Sequence, residues 1–215
     1  MILVVVAVVS LIVAGVVIGK RYLKPSGPGK FGIGVVGEVA AEEIVRLLGG
    51  RGQVVVVFLN PKSTGLKGPE RIVQKLESRL KREPGLQLLP RESVSAVEPN
   101  SSRRCAELVR QYSNVDAVVL VGGVGQVYAH DFAELAGSSR KLVSILAFGL
   151  AESRDLLQQS VLSLAIVDHP EPPPVLADGP SGQEWFAARY LALTPQTAGQ
   201  IQIQPPPATR DSGPN

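Results

Sequence analysis

The chain has 215 residues, 45% of them apolar and 19% charged, the balance of a folding globular chain and not of a disordered one. That length holds one ordinary domain with appendages and excludes two full α/β domains. The formal charge of +3 is spread over intermixed Lys, Arg, Asp and Glu, and no basic run with interleaved aromatics occurs, so nucleic acid is not an expected partner.

Residues 2–18 hold Ser10 as their one polar side chain among Val, Leu, Ile, Ala and Gly. With Met1 and Gly19 the run is long enough, at about 1.5 Å per residue, to cross a bilayer core as a helix. Lys20-Arg21-Tyr22-Leu23-Lys24 follows as a basic and aromatic interfacial anchor. No charge precedes the apolar run and no Ala-x-Ala follows it, which favours an uncleaved transmembrane helix over residues 1–19. The expected address is the cytoplasmic (inner) membrane, crossed once, and the three basic residues after the span argue for a domain on the cytoplasmic side. Residues 20–33, rich in Pro, Gly and Lys, read as a linker.

Helical spacing follows from Val35 to Leu48, stopped by Gly49-Gly50. Gln53 to Leu59 is a buried-strand run closed by Asn60-Pro61. Pro69 to Arg82 is an amphipathic helix with Ile72, Val73, Leu76 and Leu80 on one face. Pro84-Gly85 turns into a short strand, Leu86 to Leu89, and Ser101 to Tyr112 forms another amphipathic helix. Ala117 to Val121 is apolar and mostly β-branched, the mark of a central strand covered on both faces. A helix over Val127 to Ala136, a strand over Leu142 to Phe148, a helix over Ala151 to Gln159 and a strand over Val161 to Val167 come next. Gln183 to Leu193 reads as a closing helix carrying Trp185, Phe186, Tyr190 and Leu191. Residues 194–215 are rich in Gln, Pro and Gly and read as a disordered tail. The alternation predicts a doubly wound, mostly parallel α/β sheet of about five strands in a single lobe over residues 34–193.

The motifs of chemistry are sparse. Gly32-Ile33-Gly34-Val35-Val36-Gly37 matches G-x-G-x-x-G, but no strand precedes it, as a dinucleotide site requires. The loop Asn60 to Gly68 lies where a phosphate loop belongs and lacks the Walker order. His130 and His169 are far apart, and no Cys/His cluster has metal-ligand spacing, so neither metal nor cofactor is expected. Cys105, the one cysteine, falls on a helix and reads as a buried small hydrophobe. In doubly wound sheets the ligand crevice lies beyond the carboxyl ends of the strands. Those ends carry Asn60, Gly122, Gly123, Gly149 and Asp168, the candidate ligand-binding residues. With glycine where an acid, base or nucleophile would stand, catalysis is not expected.

The order of these pieces resembles the C-terminal lobe of type I periplasmic binding proteins, the sugar-binding family related to LacI-type repressors. Gly37-Glu38-Val39-Ala40-Ala41-Glu42 through Leu48-Gly49-Gly50-Arg51-Gly52-Gln53-Val54 is similar to that lobe's opening helix, turn and first strand. Glu83-Pro84-Gly85-Leu86 resembles its Tyr-Pro-Gly-Ile step, Val115-Asp116-Ala117-Val118 its Ile-Asp-Ala-Val strand, and Leu146-Ala147-Phe148-Gly149 its Val-Gly-Phe-Asp. Ala165-Ile166-Val167-Asp168-His169-Pro170-Glu171 resembles its Ala-Thr-Val-x-Gln-Asn-Pro-Tyr segment. The resemblance implies a non-catalytic binding lobe for a small polar ligand such as a sugar, working outside the cytoplasmic membrane, opposite to the side the basic residues favour. It also marks departures. Gly122-Gly123 stands where the family commonly has Asn-Asp, and Gly149 replaces its Asp. The expected function is therefore a membrane-anchored, non-catalytic, solute-binding-like module with a degenerate sugar site, one that either keeps a weak ligand site or pairs with another lobe or another copy through the sheet's carboxyl edge. The alternatives are a nucleotide-using α/β enzyme built on the glycines of 32–37 or 122–126, and a structural membrane protein whose tail recruits a partner.

Overall fold

A computed structural model describes residues 32–61, 68–122, 127–171 and 181–200. The candidate span 1–19, most of the linker, Gly123 and the tail beyond Gln200 lie outside them. Among the described residues no helix is long and apolar enough to cross a membrane.

In chain order the elements are α1 (Gly34–Leu48), β1 (Gly52–Asn60), α2 (Gly68–Leu80), β2 (Leu86–Leu88), β3 (Glu92–Ser95), α3 (Ser101–Gln111) and β4 (Ala117–Val121). A 3-10 helix (Ala129–Leu135), β5 (Lys141–Ile145), α4 (Leu150–Gln158), β6 (Leu164–Asp168), α5 (Gly182–Arg189), β7 (Tyr190–Leu193) and α6 (Pro195–Ala198) follow. The sheet order is β2-β1-β4-β5-β6-β7, with β3 pairing with β1 beyond β2. All pairings are parallel except β6 with β7. The sheet therefore has seven strands where the sequence pattern predicts about five.

Strand period 2 sorts the core into two layers. Val55, Val57, Leu59, Val118 and Leu120 face α3, the 3-10 helix and α4. Val54, Val56, Phe58, Val119, Val121, Val143 and Ile145 face α1, α2 and α5. The result is an α/β/α sandwich, and its runs of Val are its two-faced central strands.

Three sequence expectations are corrected. The closing helix ends at Arg189, and Tyr190–Leu193 leaves it as β7, antiparallel to β6 in the register Asp168↔Tyr190 and Ala165↔Leu193. Pairing with an open sheet edge outweighs the helical spacing of Trp185, Phe186 and Tyr190. The segment after the central strand is a 3-10 helix and not an α-helix. The fold also continues past residue 193, because Thr194 caps α6 by accepting from the Thr197 N–H, and Ala198 is fully buried.

The formal G-x-G-x-x-G also finds its reason here. A Cβ on Gly37 would lie 2.2 Å from the carbonyl oxygen of Ile72 and 2.9 Å from the backbone nitrogen of Leu76. Glycine at this position lets α1 and α2 cross backbone to backbone, which accounts for Gly37 without a nucleotide.

Candidate functional site

The chain switches direction between β1 and β4. From β1 it passes through α2 to β2 and β3 on one side; from β3 it passes through α3, on the opposite face, to β4 on the other side of β1. The carboxyl ends of β1 and β4 thus flank the topological switch point, where doubly wound folds bind ligands. Along that edge the sheet presents Ser95 (β3), Asn60 (β1), Gly122 after β4, Leu146 to Gly149 after β5, and Asp168 (β6). Four of the five residues marked by sequence, Asn60, Gly122, Gly149 and Asp168, share this one edge, and the fifth, Gly123, lies outside the described residues.

Sharing an edge is not the same as forming a pocket. Gly122 is buried, its N–H donates to the Ile145 carbonyl at 3.1 Å, and a Cβ there would meet Leu59 Cδ1 at 3.1 Å. Leu59 thus packs against Gly122, and the Gly122 amide is committed to the sheet. The Gly149 N–H donates to Glu152 Oε2 at 3.2 Å, so the start of α4 is already occupied by its own carboxylate. Leu146, held at φ 56° between β5 and the turn, donates its N–H to the Ile166 carbonyl at 2.8 Å. The backbone N–H groups of Gly122 and Gly149 are thus satisfied within the protein.

Three polar side chains at this edge, Ser95, Asn60 and Asp168, have no hydrogen-bonding partner among the described residues. The Asn60 carbonyl accepts from the Ala96 N–H at 3.1 Å, while its half-buried amide group is unengaged. Asp168 is exposed, yet the packing of β7 removes enough water from its carboxyl to push the pKa up from 3.8. Burial likewise raises Tyr190, its neighbour in register, and the Asp168 charge adds to that effect. Asn60 and Asp168 stand three strand spacings apart, on the order of 14 Å.

Two clefts of the described surface lie on α3. One of about 310 Å³ is lined by Glu98, Asn100, Arg103, Arg104 and Glu107. Another of about 270 Å³ is lined by Arg103, Ala106, Arg110, His130, Asp131 and Glu134. Both are open and carry charges of both signs. Ser102, buried at the start of α3, receives the Tyr128 N–H at 2.8 Å and donates its hydroxyl to Asp131 at 2.5 Å, which ties the 3-10 helix to α3. Cys105 is fully buried, and burial pushes its thiol up to about 12, far from thiolate chemistry. Among the described residues no group of three His, Cys, Asp or Glu is placed to hold a metal ion. Sequence reasoning missed the exposed pair Val97 and Tyr128, which no motif marks.

No family model matches the sequence, and no curated protein matches it. Solved structures do. A solute-binding protein of an ABC transporter from Burkholderia graminis C4D1M, in complex with D-arabinose, aligns with a TM-score of 0.57 at 12% identity, covering 82% of this chain and 63% of the other. An arabinose-binding protein from Geobacillus stearothermophilus gives 0.56 at 14% identity, covering 80% and 63%. A solute-binding protein from Agrobacterium vitis bound with α-D-tagatopyranose gives 0.50 at 19% identity, covering 72% and 47%. The likeness is one of fold. The chain has the architecture of the sugar-binding, periplasmic-binding-protein kind and spans between about half and two thirds of those chains' length.

Proposed function

We propose that this protein is a membrane-anchored, non-catalytic module built on a single solute-binding-like lobe, with residues 1–19 as the anchor, 20–33 as the linker and 34–200 as the lobe. It resides in the cytoplasmic membrane as a single-pass protein, and its sugar site is degenerate. The observation that carries this reading is the state of the carboxyl edge. The fold supplies the crevice position, but Gly122 and Gly149 bring no polar side chain and their amides are bonded internally. Ser95, Asn60 and Asp168 remain as the polar side chains of this edge. A site made for hydroxyls that lacks its partners loses affinity steeply.

The test is a thermal-shift titration of the full chain in nanodiscs with D-arabinose, D-tagatose, other aldoses and nucleotides. A ligand at about 100 times its dissociation constant stabilises the folded state by roughly 2.7 kcal/mol. Monosaccharides below millimolar concentration are expected to give no shift. A micromolar sugar response overturns the degenerate-site reading, and a nucleotide response replaces it with the enzyme. Carbonate extraction of membranes tests the anchor separately: release of the chain into the supernatant removes it. Reporter fusions at the C-terminus read which side the domain occupies.

A further inference from the structure

The amino edge of the sheet, opposite the ligand crevice, gathers charge of one sign. Arg51 directly precedes β1, Lys81 and Arg82 follow α2 just ahead of β2, and Arg140 and Lys141 stand at the start of β5. Arg51, Lys81 and Arg82 are exposed, and Arg140 and Lys141 are half-buried. Strand pairing brings the five together. The Gly52 N–H donates to the Gly85 carbonyl at 3.1 Å, which sets the turn 81–85 beside Arg51. Ala117 pairs with both Val54 and Lys141, so β5 lies two strand spacings from β1 and three from β2, about 14 Å in all. Charges in physiological salt act over a Debye length of about 8 Å, so a strip this narrow meets an approaching surface as one patch.

These cations are not spent inside the protein. None of the five forms an ion pair, and none of their side chains donates a hydrogen bond, among the described residues. The cations that are paired lie on the helices, apart from Arg91. The carboxylates in the turns of this edge are Glu83 and Asp116, and both are engaged. Glu83 pairs with Arg79 at 2.5 Å, and Asp116 accepts from the Gln53 N–H at 2.7 Å. The C-terminal ends of α1 to α4 also point this way with partial negative charge, yet none of the five side chains caps them. Partial burial lowers the pKa of Arg140 from 12.5, a cost to its charge that an anionic partner would remove.

We infer that the amino edge is a contact surface for the anionic headgroups of the bilayer that holds the anchor. The inference rests on the anchored reading above, which keeps a headgroup surface within reach of the lobe at all times. The linker decides whether this edge can meet it. Three residues separate the end of α1 from β1, so α1 runs antiparallel to β1 and the linker joins the lobe at the carboxyl end. Residues 20–33 span about 46 Å when extended. The 15 residues of α1, which run the height of the sheet, span about 22 Å. The linker therefore reaches past the lobe and lets the amino edge lie on the membrane. Each cation near an anionic leaflet adds roughly five-fold to association. Nucleic acid fits the same charges less well, because the segments that carry them, 49–51, 81–85 and 136–141, hold no aromatic side chain to stack on bases.

The experiment uses the full chain in nanodiscs of phosphatidylcholine, with and without phosphatidylglycerol. A spin label on Ser139→Cys, beside Arg140, reports the amino edge, and one on Val97→Cys reports the carboxyl end; Cys105 is buried and stays unlabelled. Relaxation by a nickel-chelating lipid reads how close each label comes to the headgroups. With phosphatidylglycerol the Ser139 label is expected to relax several-fold faster than in neutral discs, and faster than the Val97 label. Molar salt is expected to abolish the difference. So is the double change Arg140→Glu with Lys141→Glu, and Arg51→Glu on a separate turn is expected to reduce it, with the far-ultraviolet spectrum unchanged in each. Equal relaxation in the two kinds of disc, closer approach by the Val97 label, or contact that survives both charge reversals overturns the proposal. Release of the edge from anionic discs by a stoichiometric DNA duplex assigns the charges to nucleic acid and overturns it too. A chain that remains in carbonate-washed membranes but ignores phosphatidylglycerol overturns this inference alone.

Discussion

The two edges of one sheet are built by different rules. At the amino edge the chain turns by bringing backbone against backbone. Gly52 (φ 128°) donates its N–H to the Gly85 carbonyl at 3.1 Å, and a Cβ on Gly85 would lie 2.3 Å from the Gly50 carbonyl oxygen. Asp116 Oδ2 accepts from the Gln53 N–H at 2.7 Å, and the Asp116 carbonyl accepts from Lys141 at 2.8 Å, so one residue pins β1, β4 and β5 together. At the carboxyl edge the contacts are looser. Gly122 meets a movable Leu59 side chain, Gly149 holds an ordinary extended backbone at φ −69°, and the side chains of Asn60 and Asp168 have no bonded partner among the described residues. Glycine at the amino edge is a requirement of closure. Glycine at the carboxyl edge is an absence of side-chain chemistry, and that difference is what makes the second edge the place to look for function.

The largest effect that tests this contrast comes from one added methyl group at each edge. Gly85→Ala drives a Cβ into a carbonyl oxygen that belongs to the backbone and has no rotamer to escape by. A loss of roughly 3 kcal/mol is expected, as for a badly overpacked core position. Urea unfolding reads it directly. Gly122→Ala needs only that Leu59 Cδ1 give by a few tenths of an ångström, and about 1 kcal/mol or less is expected. Equal losses at the two positions would erase the distinction. Asp116→Ala comes next. It removes the acceptor of a charge-assisted bond to the start of β1, a loss of about 1.5 kcal/mol. Asp116→Asn, whose amide oxygen can still accept, is expected to recover part of it.

The same contrast explains what the sequence made legible. β1 and β4 could be read because Val54 to Val57 and Ala117 to Val121 are buried on both faces, so burial wrote an unbroken apolar run. The amino-edge turns were legible as Gly49-Gly50, Pro84-Gly85 and Gly52. β3 was not, since Glu92-Ser93-Val94-Ser95 carries one apolar side chain and owes its state to the open side of β1. β7 was hidden by an aromatic spacing that suits a helix, and the helix itself begins at Gly182 behind a capping box of Ser181 and Glu184 that the sequence reading did not use. The candidate site was legible as a location, because strand ends follow from strands. Its bonding state was not: no pattern in the sequence shows that Ile145 takes the Gly122 N–H or that Glu152 takes that of Gly149. Nor does any pattern show that Tyr128 stays outside the core while Val127 beside it is buried.

Asp168 gives the carboxyl edge a pH signature. Burial raises its pKa in the folded state above the ordinary 3.8, so the folded state holds this proton more tightly than the unfolded chain. Stability from this group is therefore greatest with the carboxyl protonated. It falls as pH rises from near 3.8 through the raised value, and is flat above. Asp168→Asn is expected to raise the melting temperature at pH 7, by a few degrees at most for a group this exposed, and to change nothing near pH 3. The substitution also removes a charge that holds the Tyr190 hydroxyl up, so Tyr190 should ionise at a lower pH, visible as tyrosinate absorbance. No change in either reading would mean that the carboxyl is as well hydrated in the folded protein as in the unfolded chain.

The smallest stability effect is the most informative about function. Gly149 precedes α4 with extended backbone angles that any L-residue adopts, and it offers the helix no side-chain cap. Gly149→Asp places a carboxylate at a helix start, where aspartate exceeds glycine as a cap by a few tenths of a kcal/mol. It also restores at this position the residue that the sugar-binding resemblance implies. The amino edge tolerates no such change; here the fold is expected to gain a little. Sugar titration of the variant then separates two causes of a weak site. A monosaccharide-dependent shift absent from the unmutated chain would show that the crevice kept its shape and lost only its polar groups. A stabilised variant that still ignores sugars would show that a lone carboxylate on one lobe is not enough. The absence of a polar side chain at Gly122 favours that second outcome, because a ring gripped from one side only leaves most of its hydroxyls to water.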